Sequence, residues 1–154
     1  MKITLLLLPL FIAICSAVSK NHLTLRKFTS QVPPVQIIIP GGAILDIRAT
    51  VSSKFKQRVT ISNGQGISYT WEGSGEGGIQ IGESPSLEVP AKGYSWTVKM
   101  DWYQSGNWKP SQIKAPPKGY TEDGYTTLNV FGENGDDKDF NDCVVYFTYH
   151  FEDA

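Results

Sequence analysis

The segment from Gly132 to Asp142 concentrates oxygen-bearing side chains of the kind that bind metal ions. Within it, Asp137, Asp139 and Asn141 recur at every second position, so a curled loop would turn three side-chain oxygens toward one centre. Calcium takes about six to eight oxygen ligands at about 2.3–2.6 Å, and carboxylates together with an amide carbonyl supply such donors. The segment therefore predicts a calcium site rather than a solvated acidic turn.

Other metal sites fit this segment poorly. Zinc and copper prefer His or Cys ligands, and the nearby Cys143 and His150 fall on opposite faces of the predicted strand that follows. An EF-hand loop that began at Asp137 would need Gly at its sixth position and Glu at its twelfth. Asp142 and Thr148 stand at those positions, so the calcium loop is of another type.

The charge of the segment predicts how many ions it holds. Converging carboxylates repel one another unless cations neutralise them. Four carboxylates balance the charge of two calcium ions, and they belong to Glu133, Asp137, Asp139 and Asp142. The whole chain has a formal net charge of only −1, which gives it no general attraction to nucleic acid or to anionic membranes. We therefore expect two calcium ions as cofactors and no nucleic-acid partner.

The elements around this loop alternate apolar and polar residues with a period of two, which is typical of half-buried strands. The clearest stretches are residues 43–51, 96–102 and 143–151, and clusters such as Gly73–Gly78 between the strands are interpreted as turns or loops. No stretch has a convincing helical period. The pattern predicts an all-β fold, an antiparallel β-sandwich of about nine short strands.

The beginning of the chain predicts its compartment. Ile3 to Ile14 is almost unbroken apolar sequence, shorter than the roughly 20 residues of a membrane span, and small residues follow up to Ala17. This predicts a signal peptide over residues 1–17, a polar lead-in over 18–33 and one domain over 34–154. The mature protein is then secreted and extracellular, with no membrane span. Cys143 is its only cysteine, and we expect a buried, unpaired thiol.

Glu133 to Asp142, followed by an apolar strand, resembles the signature loop of the calcium-mediated fucose- and mannose-binding bacterial lectins. Residues 39–59 are similar to the first strands and the sugar-specificity loop of that family, whereas residues 64–120 are only loosely similar. The resemblance implies a small β-sandwich with two adjacent calcium ions that the sugar coordinates directly.

The resemblance also implies a role for each matching position. One ion would be held by Glu133, Asp137, Asp139 and Asp142. The second would be held by Asp139, Asn141, Asp142 and the backbone carbonyl of Ser52. Ser53 to Phe55 would form the loop that selects the sugar, and the sugar would contact Ser53, Lys54, Phe55 and Asn134.

Some of these positions depart from the family pattern. Asn134 stands where the family usually has an aspartate, and Lys54 and Phe55 replace small residues. Glu152 occupies the place of the family's terminal glycine, and the chain runs on to Ala154. The departures at Lys54 and Phe55 predict an altered choice of sugar.

The sequence is compatible with three functions to different degrees. The favoured one is a secreted calcium-dependent lectin for fucose, mannose or a related glycan, working as a homodimer or higher homo-oligomer. The alternative is a structural or adhesive β-sandwich that uses calcium only for stability. An enzyme is disfavoured because His22 and His150 lie beside no nucleophile motif, and because metal-bound carboxylates stay ionised and cannot donate the proton that glycoside hydrolysis needs.

Overall fold

The computed structural model describes residues 34–115, 117–135 and 137–152. The predicted signal peptide and lead-in lie outside the described residues. Across the described ranges there are ten strands and no helix, hence no helix of a length and hydropathy that could cross a membrane.

The strands confirm the all-β prediction and differ from it in length. In chain order they are β1 (Val35–Ile39), β2 (Ala43–Ser62), β3 (Ser68–Glu83), β4 (Leu87–Glu88), β5 (Tyr94–Gln104), β6 (Asn107–Pro110), β7 (Gln112–Lys114), β8 (Tyr120–Glu122), β9 (Tyr125–Glu133) and β10 (Cys143–Phe151). Two of them are not short, since β2 has 20 residues and β3 has 16.

Strand β2 connects the two layers of the sandwich. All pairings are antiparallel, and the main order of the sheet is β1-β5-β2-β10-β9-β7. The first part of β2, residues 43–51, pairs with β10, whereas residues 57–62 pair with β5. Because one strand serves both layers, the sheet folds back over its own apolar face.

The core lies between these layers and is built from the inward-facing alternate residues that the sequence pattern predicts. The rings of Trp96 on β5 and Phe147 on β10 are fully buried, with 6.2 Å between their centroids. Gly132 lets the Met100 side chain of β5 pack directly against the β9 backbone, because a Cβ added at Gly132 would lie 2.5 Å from the Met100 sulfur. Packing between the layers supports β9 and β10, the two strands that flank the acidic loop.

Cys143 begins β10 and is fully buried as a free thiol, as predicted. Burial, with a smaller contribution from the charge of Asp142, raises the pKa of Cys143 to about 12. The thiol therefore stays protonated at neutral pH and packs as a small apolar group.

The interpretation of Gly73–Gly78 as a turn or loop is wrong, because this cluster lies inside β3. Gly75, Gly77 and Gly78 have φ values of 144°, 83° and 75°, which glycine adopts without steric cost, so the strand bends and continues. The predicted loop Ser53–Phe55 is likewise an irregularity within β2. Both strands bulge at the end of the sandwich that carries the acidic loop.

Candidate metal centre

The loop between β9 and β10 is curled by side-chain to backbone hydrogen bonds. The Asp139 N–H donates to Asp137 Oδ1 at 3.3 Å, and the Asn141 N–H donates to Asp139 Oδ1 at 3.2 Å. Lys138 and Phe140, between these residues, have left-handed φ values of 69° and 59°. This repeated two-residue turn is the local reason why side chains at alternate positions share one side of the loop.

The carboxylates of this loop converge as a metal site requires. Glu133, Asp137 and Asp139 each offer an oxygen, and the three atoms lie within 4.8 Å of one another. Two oxygens bound to one calcium ion at about 2.4 Å are at most about 4.8 Å apart. The donor set consists of oxygens alone and fits calcium. The Asn141 amide nitrogen donates to Asp139 Oδ2, which leaves the amide oxygen of Asn141 for a cation.

Glu133 is the buried anchor of the loop, with no exposed surface. Its carboxylate accepts hydrogen bonds from the Gly135 N–H at 2.7 Å and the Phe140 N–H at 3.0 Å. Burying an ionised carboxylate is costly unless hydrogen bonds or opposite charges compensate it. The two N–H groups supply part of that compensation, and a bound cation would supply the charge.

Asp142 joins the acidic loop to β2. Its Oδ2 accepts the Asn134 N–H at 2.7 Å, and its Oδ1 accepts the Asn134 side-chain amide at 3.0 Å. The Asp142 carbonyl accepts the Ser52 N–H at 3.0 Å. Ser52 and Asp142, both predicted ligands of the second ion, are therefore held side by side.

An open cavity of about 270 Å³ lies where the loop meets the β2 bulge. Most of the predicted site residues line it: Ser52, Ser53, Lys54, Asp137, Asp139, Asn141 and Asp142. Glu133 is buried behind this surface, and Asn134 is only 7% exposed. Phe55 is outside the lining and packs edge-on against Trp102, with 5.3 Å between ring centroids. The structure thus brings the predicted calcium ligands together and turns Phe55 elsewhere.

The electrostatics of the loop favour a cation. The pKa of the Asp139 carboxyl is raised above its usual value by partial desolvation and by the negative charges of Asp137 and Glu133. The hydrogen bond from the Asn141 N–H opposes this rise. A divalent ion between these carboxylates would remove the repulsion that they exert on one another.

Sequence reasoning missed one residue of this cavity, Glu76 on β3. Next to it, the Gly77 N–H donates to Ser52 Oγ at 3.2 Å, which fixes the β3 bulge to the predicted metal-binding backbone. The available signal was a single charged residue within a glycine-rich stretch. Its place in the site depends on the pairing of β3 with β2, which local composition does not specify.

Ser53 should be a structural rather than a solvent-facing part of the site. Its Oγ lies within 3.3 Å of three donors, the Phe55 N–H, Gln57 Nε2 and Asn134 Nδ2. We expect Ser53→Ala to lower the free energy of unfolding by about 1–3 kcal/mol, because buried donors would lose their acceptor. Urea denaturation in the presence of a chelator measures this without a contribution from calcium.

Ser86→Ala is the matched control for this substitution, since the Ser86 hydroxyl makes an exposed hydrogen bond to Asp46. Its midpoint should stay close to that of the unsubstituted protein. Equal denaturation midpoints for Ser53→Ala and Ser86→Ala would contradict the structural role of Ser53.

One family of known proteins matches the chain. The family described as Fucose-binding lectin II (PA-IIL) matches residues 36–151, which is most of the chain. No curated protein matches the sequence significantly.

Solved structures of bacterial lectins share the fold. A high-affinity mannose-binding lectin of Ralstonia solanacearum has a TM-score of 0.59 and 18% identity, covering 73% of this chain and 93% of that one. A Chromobacterium violaceum lectin in complex with alpha-methyl-fucoside gives the same values. The C-terminal domain of a Burkholderia cenocepacia lectin has a TM-score of 0.58 and 17% identity, covering 77% of this chain and 97% of that one.

Proposed function

Because the chain belongs to the fucose-binding lectin II (PA-IIL) family, whose members bind carbohydrate, we propose that it is a calcium-dependent lectin in which sugar hydroxyls coordinate two adjacent calcium ions. The observation that carries the proposal is the meeting of the acidic loop and the β2 bulge around one open cavity. The proposed activity is binding, and no chemical conversion of the sugar is part of it.

The arrangement of the ligands supports two neighbouring ions. Glu133, Asp137 and Asp139 converge closely enough for one ion. Asn141 and the Ser52 backbone, held beside Asp142, provide oxygens for a second. In this proposal the carboxylates of Asp139 and Asp142 contact both ions. All these groups lie on the protein side of the cavity, so the open side leaves coordination positions that vicinal sugar hydroxyls would fill.

We propose a glycan of the fucose or mannose type, or one related to it, as the ligand. Support comes from the solved relatives, one described as mannose-binding and another bound to a methyl fucoside.

Secretion through the predicted signal peptide and assembly into a homo-oligomer belong to the same proposal. A shallow sugar site binds weakly alone, and multivalency raises avidity by about 10²–10⁴. Phe151, 53% exposed at the end of β10, offers apolar surface to a partner chain.

A glycan array, run in calcium and again in chelator, tests this function. For a calcium-dependent lectin we expect binding to fucose- or mannose-terminated glycans in calcium, and loss of that binding in chelator. A protein that calcium stabilises but that binds no glycan would instead support the structural or adhesive alternative. Binding that survives chelation would contradict the coordination of sugar by calcium.

Lys54 should set part of the glycan preference. Its side chain is exposed at the cavity, with Nζ 5.3 Å from the Phe55 ring centroid, whereas Phe55 itself packs on Trp102. We expect Lys54→Ser to lower binding of glycans that carry carboxylate or sulfate groups by about two- to fivefold relative to neutral glycans, the range of exposed charge pairs. The glycan array measures this ratio.

Lys92→Ser is the matched control, because Lys92 is exposed in the turn between β4 and β5, beside the beginning of β2 and away from its bulge. It removes the same charge at a distance from the cavity and should leave the profile unchanged. An unaltered ratio in Lys54→Ser would show that this lysine does not select the ligand.

A further inference from the structure

Two bulges, one on β2 and one on β3, flank the Ser53–Gly75 pair beside the metal centre. Ser53 pairs with Gly75, and the next pairs on either side are Val51 with Ile79 and Gln57 with Gly73. Between these pairs β2 carries extra residues after Ser53, and β3 carries extra residues after Gly75. The first extra residue of each bulge, Lys54 or Glu76, lines the cavity. We call these segments, residues 54–56 and 76–78, the paired bulges.

Glu76 is held in this position by backbone structure. The glycines around it have positive φ values that other residues rarely adopt, and the Gly77 N–H is bonded to Ser52 Oγ. The carboxylate itself is exposed and has no hydrogen bond or ion pair within the described ranges. It is also outside the group of converging carboxylates formed by Glu133, Asp137 and Asp139. The backbone of β3 thus places the Glu76 carboxylate at the cavity, where it remains able to accept hydrogen bonds from a ligand.

We propose that Glu76 contacts the bound sugar and determines specificity, accepting hydrogen bonds from hydroxyls that do not coordinate calcium. This inference rests on the lectin function proposed above. An ionised carboxylate only accepts hydrogen bonds, and hydrogen bonds to charged groups are the stronger ones. On the side that faces β3, the favoured ligand therefore presents hydroxyl groups and no charged group. A carboxylate or sulfate placed there would be repelled.

Lys54 and Glu76 then act on opposite sides of one sugar. The lysine attracts an anionic substituent near the β2 bulge, and the glutamate accepts hydroxyl donors near the β3 bulge. Removing the charge of Lys54 should lower the ratio of acidic to neutral glycan binding, whereas removing the charge of Glu76 should raise it. The control variants Lys92→Ser and Glu83→Gln, which remove the same charges outside the cavity, distinguish these two local contacts from a general change in surface charge.

Glu76→Gln tests the inference, with Glu83→Gln as the matched control on the same strand. Glu83 lies outside the cavity of Glu76, and its Oε2 accepts a hydrogen bond from Gln80 Nε2 at 3.1 Å. Calorimetric titration of methyl-α-fucoside into calcium-saturated protein should show affinity reduced by about five- to tenfold in Glu76→Gln, because a neutral amide oxygen accepts a hydrogen bond more weakly than a carboxylate. Binding of glucuronic acid relative to the fucoside should rise. Glu83→Gln should match the unsubstituted protein in both titrations.

Calcium titration without sugar separates the two roles open to Glu76. As a sugar contact, Glu76→Gln should change calcium affinity by less than about threefold. A loss of calcium affinity parallel to the loss of sugar affinity would make Glu76 a metal ligand and overturn the inference. Unchanged fucoside and glucuronate binding in Glu76→Gln would overturn it while leaving the lectin function intact. An unsubstituted protein that binds no sugar in calcium would overturn both.

Discussion

Calcium should stabilise the fold by about 2.7 kcal/mol for each bound ion at a free concentration one hundred times its Kd, and chelation should remove this gain. The reason lies in the loop between two core strands, β9 and β10. Glu133 is a fully buried carboxylate there, and the charges of Asp137 and Glu133 raise the pKa of Asp139. Without a cation this repulsion destabilises the folded protein, whereas the unfolded chain separates the charges.

Thermal melts in calcium and in chelator measure the effect. Magnesium is the control ion, because it demands octahedral geometry at about 2.0–2.1 Å and gives up its water reluctantly. It should raise the melting temperature much less than calcium. Coincident melting curves in calcium and chelator would mean that the loop is only a solvated acidic turn.

Asp139→Ala and Asp142→Ala should abolish metal binding more completely than Glu133→Ala, because the proposal places the first two carboxylates on both ions. The structure adds a second consequence. Asp142 also accepts two hydrogen bonds from Asn134, and Glu133 accepts two from the loop backbone. Alanine at either position should therefore lower stability as well, and circular dichroism must establish that each variant is folded.

Asp139→Asn is the cleaner variant, because Asp139 is exposed and the amide keeps nearly the same shape. Substituting partners that merely orient metal ligands already costs about 10- to 100-fold in metal affinity. We expect a loss of about a hundredfold or more for this carboxylate, measured by calcium calorimetry. Asp123→Asn, in the exposed turn before β9, is the matched control and should bind calcium normally. Equal losses from Asp139→Ala and Glu133→Ala would show that the bridging assignment is wrong.

Local sequence patterns predicted the elements whose environment is set by neighbouring residues. The alternation in β10 correctly placed Cys143, Val145 and Phe147 in the core, since the first half of that face of the strand is buried. The acidic spacing correctly predicted a convergence of carboxylates, because each turn of the loop depends on a residue only two positions away.

The paired bulges could not be predicted from local sequence patterns. Glycine in Gly73–Gly78 is compatible with a turn and with a bulged strand, and only the pairing with β2 decides between them. The orientation of Phe55 depends in the same way on Trp102, which is distant in sequence. Contacts of this kind are set by tertiary packing. They decide that Lys54 and Glu76 line the cavity and that Phe55 does not.

The most direct test of the central claim is calorimetric titration of methyl-α-fucoside and methyl-α-mannoside into the folded protein, first in calcium and then in excess chelator. We expect saturable binding of at least one glycoside in calcium, its complete loss in chelator, and its return when calcium is restored. Glycoside binding of equal affinity in chelator, or no binding of either sugar by the calcium-loaded protein, would contradict it.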